Sequence, residues 1–187
     1  SRRRTIMAAA LETFMRYGFS RVTMDDIARE AGISRPALYR DFRNKADIYA
    51  AIANGLFEET AAAAEAELSG TGPLEVRLAR ALEAGIIDKL AEISRSPHGA
   101  EILERKEVLT ADLIARWHDR IATALTGAIE AEAAGRNVDL ASRGLTASAL
   151  ADVLLDGLDG VKHRSADPAE WYTAARHLGR IVALALD

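Results

Sequence analysis

Residues 23–42, TMDDIAREAGISRPALYRDF, carry the start and stop signals of two short helices. Thr23 is followed three residues later by Asp26, which is close to a capping box at the start of a helix. A glycine then ends that helix. Ser34 can cap a second helix, where Pro36 is tolerated because first-turn amides have no helical partner. Two short helices joined by a glycine turn predict a helix-turn-helix motif.

The first turn of the second helix has the composition that DNA recognition requires, because such a helix inserts its N-terminal end into the major groove. Arg35 can bond to guanine O6 and N7, and Ala37 can contact a thymine methyl group. Phosphate contacts suit the hydroxyl of Tyr39, the charge of Lys45, and Thr23 at the start of the preceding helix. The motif therefore predicts contacts to double-stranded DNA.

The charges of the chain are unevenly distributed. Residues 1–50 hold ten basic and six acidic residues, a net charge of +4, whereas residues 51–187 hold 14 basic and 22 acidic residues, a net charge of −8. A basic end on an acidic body favours an anionic partner at that end only, although basic residues that merely solvate helix faces give the same average. Arg2, Arg3 and Arg4 are expected to form a flexible basic arm for a minor groove or phosphates, or else a solubilising terminus.

The composition favours helices throughout the chain. Apolar residues make up 49% of the sequence but aromatic residues only 5%. Alanine and leucine supply most of the apolar share, and both favour helix over sheet. No stretch shows the two-residue alternation of a half-buried strand. The sequence therefore predicts an all-α fold of about nine helices, at residues 4–17, 24–31, 35–42, 44–68, 74–95, 97–106, 109–134, 145–164 and 168–186.

Several spaced segments agree in order with one known family: AAALETF at 8–14 with YGF at 17–19, TMDDIA at 23–28, AGISRPALYRDF at 31–42 and NK at 44–45. Through these segments, residues 5–52 resemble the DNA-binding domain of the TetR family of transcriptional regulators. The resemblance implies a homodimer whose first three helices bind DNA, whose fourth leads to a ligand-sensing core, and whose last two pair with a second subunit. It implies a helix-turn-helix DNA-binding domain at 1–45, with the motif at about 24–43, and a helical effector-binding and dimerisation domain at 46–187.

The resemblance also assigns operator contacts, which fall on Asp25, Arg35, Pro36, Ala37, Tyr39 and Lys45. With the arm and the two N-caps added, the predicted DNA-binding residues are Arg4, Thr23, Asp25, Ser34, Arg35, Pro36, Ala37, Tyr39 and Lys45. The sequence departs from the family at Asp41, where an aromatic residue or histidine is common. A carboxylate at the end of a recognition helix opposes the helix dipole and repels phosphate. Asp41 is therefore expected to recognise a cytosine amino group, to point at Arg43, or to weaken binding.

An apolar stripe with residues four apart runs along one predicted helix: Leu109, Leu113, Trp117, Ile121, Leu125 and Ile129. Most of such a stripe is ordinary core, but a large ring with a hydrogen-bond donor, such as Trp117, suits the wall of a pocket. A cavity completed by neighbouring helices predicts a site for a small-molecule effector. The predicted effector-binding residues are Leu56, Ile86, Leu90, Leu103, Leu113, Trp117 and Ile121.

The last helix has a broad apolar face, and an exposed face of that size favours a partner. Gly157 and Gly160 lie inside the preceding helix, where each costs about 1 kcal/mol relative to alanine unless close backbone contact compensates. The predicted dimer interface comprises Val153, Gly157, Gly160, Trp171, Ala175, Leu178 and Val182. The aspartates at 152, 156 and 159 either form a solvated face or pair across the dimer with arginines of the last helix.

These patterns predict a ligand-responsive transcriptional repressor that binds a palindromic operator as a homodimer and is released by a small apolar or amphipathic effector of unknown identity. The alternative is a sequence-tolerant architectural DNA-binding protein without an effector. The sequence has no cysteine, no nucleophile elbow and no clustered histidines with carboxylates, so we predict no enzyme activity, catalytic residue, metal site or cofactor. No apolar run approaches the ~20 residues that span a bilayer. We therefore expect no membrane partner and a cytoplasmic location.

Overall fold

The computed structural model describes the backbone of residues 1–187 and the side chains of residues 1–104 and 110–187. Its backbone forms nine helices and no strand: α1 (Arg2–Tyr17), α2 (Met24–Glu30), α3 (Arg35–Asp41), α4 (Lys45–Leu68), α5 (74–94), α6 (Gly99–Leu109), α7 (Ala111–Gly135), α8 (Ala147–Arg164) and α9 (Pro168–Leu184). A short 3-10 turn at Ala141–Arg143 precedes α8. The predicted all-α fold of about nine helices is confirmed. The predicted stripe residue Leu109 lies outside the described side chains.

Helix α5 contains a change of helical geometry. It runs as an α-helix at Leu74–Leu82, becomes a π-helical turn at Glu83–Ile87, and returns to an α-helix at Asp88–Ser94. Such turns insert an extra residue into the helix and are frequent at functional sites. The sequence predicted the helix but not the turn within it.

The contacts divide the chain into two compact units. Unit one comprises Ser1–Glu58 and Leu90–Ala115, and unit two comprises Glu59–Lys89 and Arg116–Asp187. The boundaries of these units fall inside helices α4, α5 and α7. The boundary predicted between residues 45 and 46 separates functions rather than clusters of contacts, and it stays a prediction.

The core of unit one draws one or more apolar residues from each of the first four helices. Ile6 and Phe14 from α1, Ile27 from α2, Leu38 from α3 and Ile48 from α4 are almost completely buried. Burying side chains of this size contributes roughly 1.5–3 kcal/mol each. The short helices α2 and α3, each seven residues long, therefore depend on this shared core rather than on their own propensity.

Helix α6 belongs to the same unit. Ile102 is buried in the core of unit one, and its backbone carbonyl accepts a hydrogen bond from the hydroxyl of Tyr49 at 2.6 Å. Burial raises the pKa of Tyr49 to about 12, so the hydroxyl keeps its proton and remains a donor. The Tyr49 ring also makes an edge contact with Phe19, with 5.4 Å between ring centroids.

In unit two, α9 packs against both α5 and α8. Leu78 and Leu82 from α5, Leu154 and Leu158 from α8, and Val182 from α9 are fully buried there. Helix α9 approaches α5 closely at Gly179. A Cβ atom at Gly179 would lie 2.8 Å from the backbone carbonyl oxygen of Glu75, so only glycine fits without a backbone shift.

Candidate DNA-binding interface and effector site

Both helices of the helix-turn-helix are capped at their N-termini by the side chains that the sequence indicated. Thr23 and Asp26 form a reciprocal capping box at the start of α2. The Thr23 amide donates to the Asp26 carboxylate at 2.9 Å, and the Asp26 amide donates to the Thr23 hydroxyl at 3.2 Å. Ser34 caps α3 by accepting from the Ala37 amide at 3.4 Å. Both predicted N-caps are confirmed.

The first turn of α3 presents a polar cluster on the exposed side of the motif. The guanidinium of Arg35 lies 3.2 Å from the carboxylate of Asp25 and 5.6 Å from the centre of the Tyr39 ring. Hydrogen bonding to Tyr39 and the charge of Asp25 raise the pKa of Arg35 above its ordinary value. Pro36 is exposed beside this cluster. Asp25 and Tyr39 thus flank the guanidinium at the end of the helix that would face a base.

Three other predicted contact residues have their side chains engaged within the protein. The Ala37 side chain is only 9% exposed, which leaves little methyl surface for a thymine. The Thr23 hydroxyl donates to Asp26 at 2.6 Å. The ammonium of Lys45 donates to the backbone carbonyls of Phe19 and Val22, the latter at 2.8 Å. DNA contacts by these three residues stay predictions.

The N-terminal arginines do not form the flexible arm that the sequence led us to expect. Helix α1 begins at Arg2, so Arg2, Arg3 and Arg4 lie in its first turn. The first two are engaged at the end of α3, where Asp41 accepts hydrogen bonds from both. Arg4 is exposed. These contacts join residues that are 38 and 39 positions apart and hold the segment in place. No local sequence pattern predicts them.

The same contacts exclude one of the three expectations for Asp41. Its carboxylate bonds to Arg2 at 2.6 Å, whereas Arg43 bonds to Asp47 at 2.8 Å. The expectation that Asp41 points at Arg43 is therefore wrong. Asp47, in the first turn of α4, accepts hydrogen bonds from both the backbone amide and the guanidinium of Arg43, which lies two residues before that helix.

The predicted effector residues are divided between the two units. Leu56, Leu90, Leu103 and Leu113 belong to unit one, and Ile86, Trp117 and Ile121 belong to unit two. Within unit one, Leu56 and Leu113 are half-buried against the hydrophobic core. Each unit therefore contains part of the predicted set.

In unit two, Trp117 and Ile121 on α7 face the end of α4 that belongs to the same unit. The indole N–H of Trp117 donates to the buried hydroxyl of Thr60 at 3.0 Å. Gly85, in the π-helical turn of α5, approaches so closely that a Cβ there would lie 2.9 Å from Ala64 and 3.3 Å from Ile121. Arg120 and Glu65 join the same helices through hydrogen bonds of 2.6 and 2.8 Å.

Thr60 is a site candidate that the sequence reasoning missed. It lies in a stretch of glutamates and alanines that predicts only a helix, so its position gave no signal. The general requirement that a buried indole N–H find an acceptor was the only available hint.

The predicted dimer residues fall on two different faces. Trp171, Ala175 and Val182 are 5%, 0% and 0% exposed, because they are buried within the chain. This corrects the expectation that they belong to an exposed apolar face. The large apolar residues that remain exposed on the last two helices are Val153, Ile181 and Leu184, at 46%, 57% and 50%. Successive residues of a helix are rotated by 100° about its axis, so an error of one position in assigning a face exchanges exposed residues for buried ones.

The arginines of the last helix also have partners within the chain. Arg180 bonds to Glu75, and Arg176 lies 4.0 Å from Glu83, both on α5. Asp159 pairs instead with Lys162 at 2.6 Å. The intrachain partners make the suggested pairing of these arginines with aspartates across a dimer unnecessary.

A pair of short capped helices with an exposed arginine at the start of the second defines the class of a helix-turn-helix DNA-binding protein. The family model described as "Bacterial regulatory proteins, tetR family" matches residues 6–52. Residues 6–52 therefore carry the DNA-binding helix-turn-helix of the TetR family of transcriptional regulators.

Two curated relatives are similar over this region and beyond it. The HTH-type transcriptional activator FasR of Mycolicibacterium smegmatis is 34% identical over 83 residues, which cover 44% of this chain and 38% of the relative. The HTH-type transcriptional regulator TtgR of Pseudomonas putida is 32% identical over 111 residues, which cover 59% and 53% of the two chains. The chain thus spans about half or less of the length of these relatives.

Solved structures match the chain over nearly its whole length. The TetR family repressor AlkX of Dietzia sp. strain DQ12-45-1b superposes with a TM-score of 0.60 at 25% identity, covering 100% of this chain and 95% of that one. A TetR transcription regulator of Haloarcula marismortui reaches a TM-score of 0.72 at 22% identity, covering 98% and 97%. At 22% identity, the similarity to the second structure shows a shared fold only.

The described residues lack two further kinds of feature. None of their helices combines the length and apolar character that crossing a membrane requires. Among the described side chains, no group of three or more histidine, aspartate or glutamate residues is placed to hold a metal ion.

Proposed function

We propose that this protein is a ligand-responsive transcriptional repressor that binds a palindromic operator as a homodimer and is released by a small apolar or amphipathic effector. The observation that carries the proposal is the exposed cluster of Arg35, Asp25 and Tyr39 at the start of α3. A guanidinium held there can form the bidentate contact with guanine O6 and N7 that dominates specific recognition in the major groove. Asp25 limits the orientations of Arg35 before DNA arrives, which lowers the entropy cost of that contact.

Recognition in this proposal uses fewer side chains than the sequence suggested. Arg35, Pro36 and Tyr39 are exposed and suit direct contacts, with Asp25 as the orienting residue. Ser34 and Thr23 act first as helix caps, and the helix N-termini that they complete favour phosphate. Arg4 adds an exposed positive charge at the same end of the chain.

Dimerisation is proposed through the exposed faces of α8 and α9. Val153, Ile181 and Leu184 leave apolar surface in water, and Gly160 has open space where a side chain would be. Leu178 is half-buried and lies against Gly157, where a Cβ would come within 2.7 Å of it. A homodimer with such an interface carries two recognition helices, and a palindromic operator offers two half-sites about one turn of DNA apart.

The effector is proposed to act near the Trp117–Thr60 contact and the π-helical turn of α5. This part of unit two combines an indole, a buried hydroxyl and apolar neighbours, a composition that suits an apolar ligand with one polar group. The similarity to a repressor that is described as implicated in the biodegradation of n-alkanes supports an apolar class. A regulator of this kind, in a chain without cysteine, is expected in the cytoplasm.

The first test is selection of bound duplexes from a random DNA pool at about 150 mM salt, where non-specific electrostatic binding is weak. We expect enrichment of an inverted repeat by the wild-type protein. Arg35→Ala should weaken binding to that repeat by about ten- to a hundredfold and relax the preferred base at one position per half-site. Arg116→Ala, which removes an exposed arginine from α7, is the matched control and should leave the selected sequence unchanged.

Two outcomes would contradict the proposal in different ways. Binding without an enriched sequence would instead support a sequence-tolerant architectural protein. An unchanged motif for Arg35→Ala would show that another residue recognises the base.

The effector is tested on the selected duplex with a panel of straight-chain fatty acids, alkanols and aromatic compounds. A releasing compound should lose its effect in Trp117→Ala and keep it in Trp171→Phe, because Trp171 is buried elsewhere in unit two. Release that is equally strong in both variants would place the effector site away from Trp117.

A further inference from the structure

The recognition helix is bonded at its C-terminal end to the first turn of α1. The Nε of Arg2 donates to the Asp41 carboxylate at 2.6 Å, and an Nη of Arg3 donates to the Asp41 backbone carbonyl at 2.6 Å. The guanidinium of Arg3 also lies 4.1 Å from the centre of the buried Phe42 ring. We name Arg2 and Arg3 the N-terminal arginine pair.

The N-terminal arginine pair contacts a residue, Asp41, whose negative charge is unfavourable at its position in α3. Asp41 is the last residue of α3, where the helix dipole is negative and a carboxylate is unfavourable. Hydrogen bonding to Arg2, followed by the charges of Arg2, Arg3 and Arg40, lowers the pKa of Asp41. Asp41 therefore stays ionised near neutral pH, and its charge is balanced by cations from α1 and from its own helix.

The exposure of the two partners shows which charge the solvent meets. The side chain of Asp41 is 15% exposed, whereas that of Arg2 is 48% exposed. An approaching phosphate would thus meet the guanidinium before the carboxylate. Removal of Arg2 would uncover a negative charge at the end of the helix that enters the groove.

We propose that Arg2 and Arg3 are positioning residues for DNA recognition. They fix the C-terminal end of α3 and cover the charge of Asp41, so that a carboxylate in the recognition helix does not repel the phosphate backbone. The proposal rests on the DNA-binding function proposed above. It differs from a basic arm, because an arm gains affinity from its own phosphate contacts, whatever residue occupies position 41.

The difference between the two roles is measurable in a double-mutant cycle. If Arg2 acts on Asp41, the loss caused by Arg2→Ala disappears when Asp41→Asn has already removed the charge. If Arg2 contacts phosphate directly, the loss is the same in both backgrounds. Charge restoration by Arg2→Lys should recover most of the affinity only where Asp41 is present.

The experiment measures dissociation constants by fluorescence anisotropy at 50 and 150 mM salt for wild type, Arg2→Ala, Asp41→Asn and the double variant. The probes are the selected inverted repeat and a 30-bp duplex of mixed sequence. At 150 mM salt we expect Arg2→Ala to weaken binding about three- to tenfold, and the double variant to lie within about twofold of Asp41→Asn. Arg4→Ala, which removes an exposed arginine of the same turn, is the control and should lose affinity equally in the wild-type and the Asp41→Asn backgrounds.

Each remaining outcome overturns the proposal. Equal losses for Arg2→Ala with and without Asp41 would make Arg2 an arm residue, and no loss at all would make the contact irrelevant to DNA. Thermal unfolding followed by circular dichroism tests whether each variant is folded at the assay temperature. If Arg2→Ala is not folded there, Arg2→Gln takes its place in the cycle. Failure of the wild type to bind either duplex at 50 mM salt would overturn the proposed function as well.

Discussion

The helix-turn-helix and the last two helices differ in how far their local sequence reveals which side chains are exposed. In the helix-turn-helix, caps at Thr23 and Ser34 fix the helix starts, and Arg35 is exposed as its position suggested. In α8 and α9 the helices were predicted correctly, but Trp171 and Val182 are buried where an exposed face was expected. Local signals fix where a helix begins, whereas the face that it buries depends on the partner against which it packs.

The largest effect should come from substituting Trp171, because the result shows whether this residue belongs to the core of the chain or to a dimer interface. Trp171→Ala should lower the free energy of unfolding by about 3–5 kcal/mol, because it removes a buried ring whose N–H bonds to the carbonyl of Ser165 at 2.8 Å. Urea unfolding monitored by circular dichroism measures this at several protein concentrations. The matched variant Ile181→Ala removes exposed apolar surface from the same helix and should act mainly by weakening the dimer, so that stability depends less steeply on protein concentration than in the wild type. Equal, concentration-independent losses in both variants would erase the distinction between the two faces.

The next prediction tests whether Lys45, in the DNA-binding half, stabilises the fold or contacts phosphate. Lys45→Met should destabilise the protein by about 2 kcal/mol, because it leaves the carbonyls of Phe19 and Val22 without their charged donor. Differential scanning calorimetry measures the loss, with Arg43→Met, which breaks an exposed pair at the same helix start, as the control. If Lys45→Met keeps the melting temperature but weakens DNA binding at all sequences, Lys45 is a phosphate contact, as the sequence first suggested.

The two glycines of the last helices should respond in opposite directions. Gly179→Ala should cost about 1–2 kcal/mol, since its Cβ would meet the backbone of α5. Gly160→Ala has open space and should stabilise the folded monomer by up to about 1 kcal/mol through helix propensity. Analytical ultracentrifugation of Gly160→Ala then reports whether the added methyl group weakens the dimer. A destabilised monomer in Gly160→Ala would show that our assignment of its surroundings is wrong.

The smallest effect concerns the capping box. Thr23→Ala should cost about 1 kcal/mol at pH 7, because α2 loses a side-chain acceptor at its N-terminus. Hydrogen bonds from Thr23 lower the pKa of Asp26 in the folded protein. This carboxylate therefore stabilises the fold above the unfolded pKa of about 3.9, and its contribution is lost as the pH falls through the lower, folded pKa. Thermal melts between pH 7 and pH 3 should show a shallower loss in Thr23→Ala, and parallel curves would contradict the linkage.

Part of the candidate site was predictable because its signals are short-range. The caps, the glycine turn and the exposure of Arg35 follow from residues within one or two helical turns of each other. The contacts of Arg2 with Asp41 and of Trp117 with Thr60 join residues 39 and 57 positions apart. No periodicity links such pairs, so the ordered N-terminus and the Thr60 acceptor could not be predicted.

The sequence by itself determined the all-α class, the positions of the nine helices and the identity of the helix-turn-helix, since propensity, capping and apolar spacing act along the chain. Only the tertiary structure decided that the N-terminal arginines bond to the recognition helix and that Lys45 bonds to backbone carbonyls. It also decided which face of α9 is buried. Those outcomes depend on which charges and surfaces meet in space, because a cationic side chain donates hydrogen bonds to oxygens that the fold brings near it, whatever their distance along the chain.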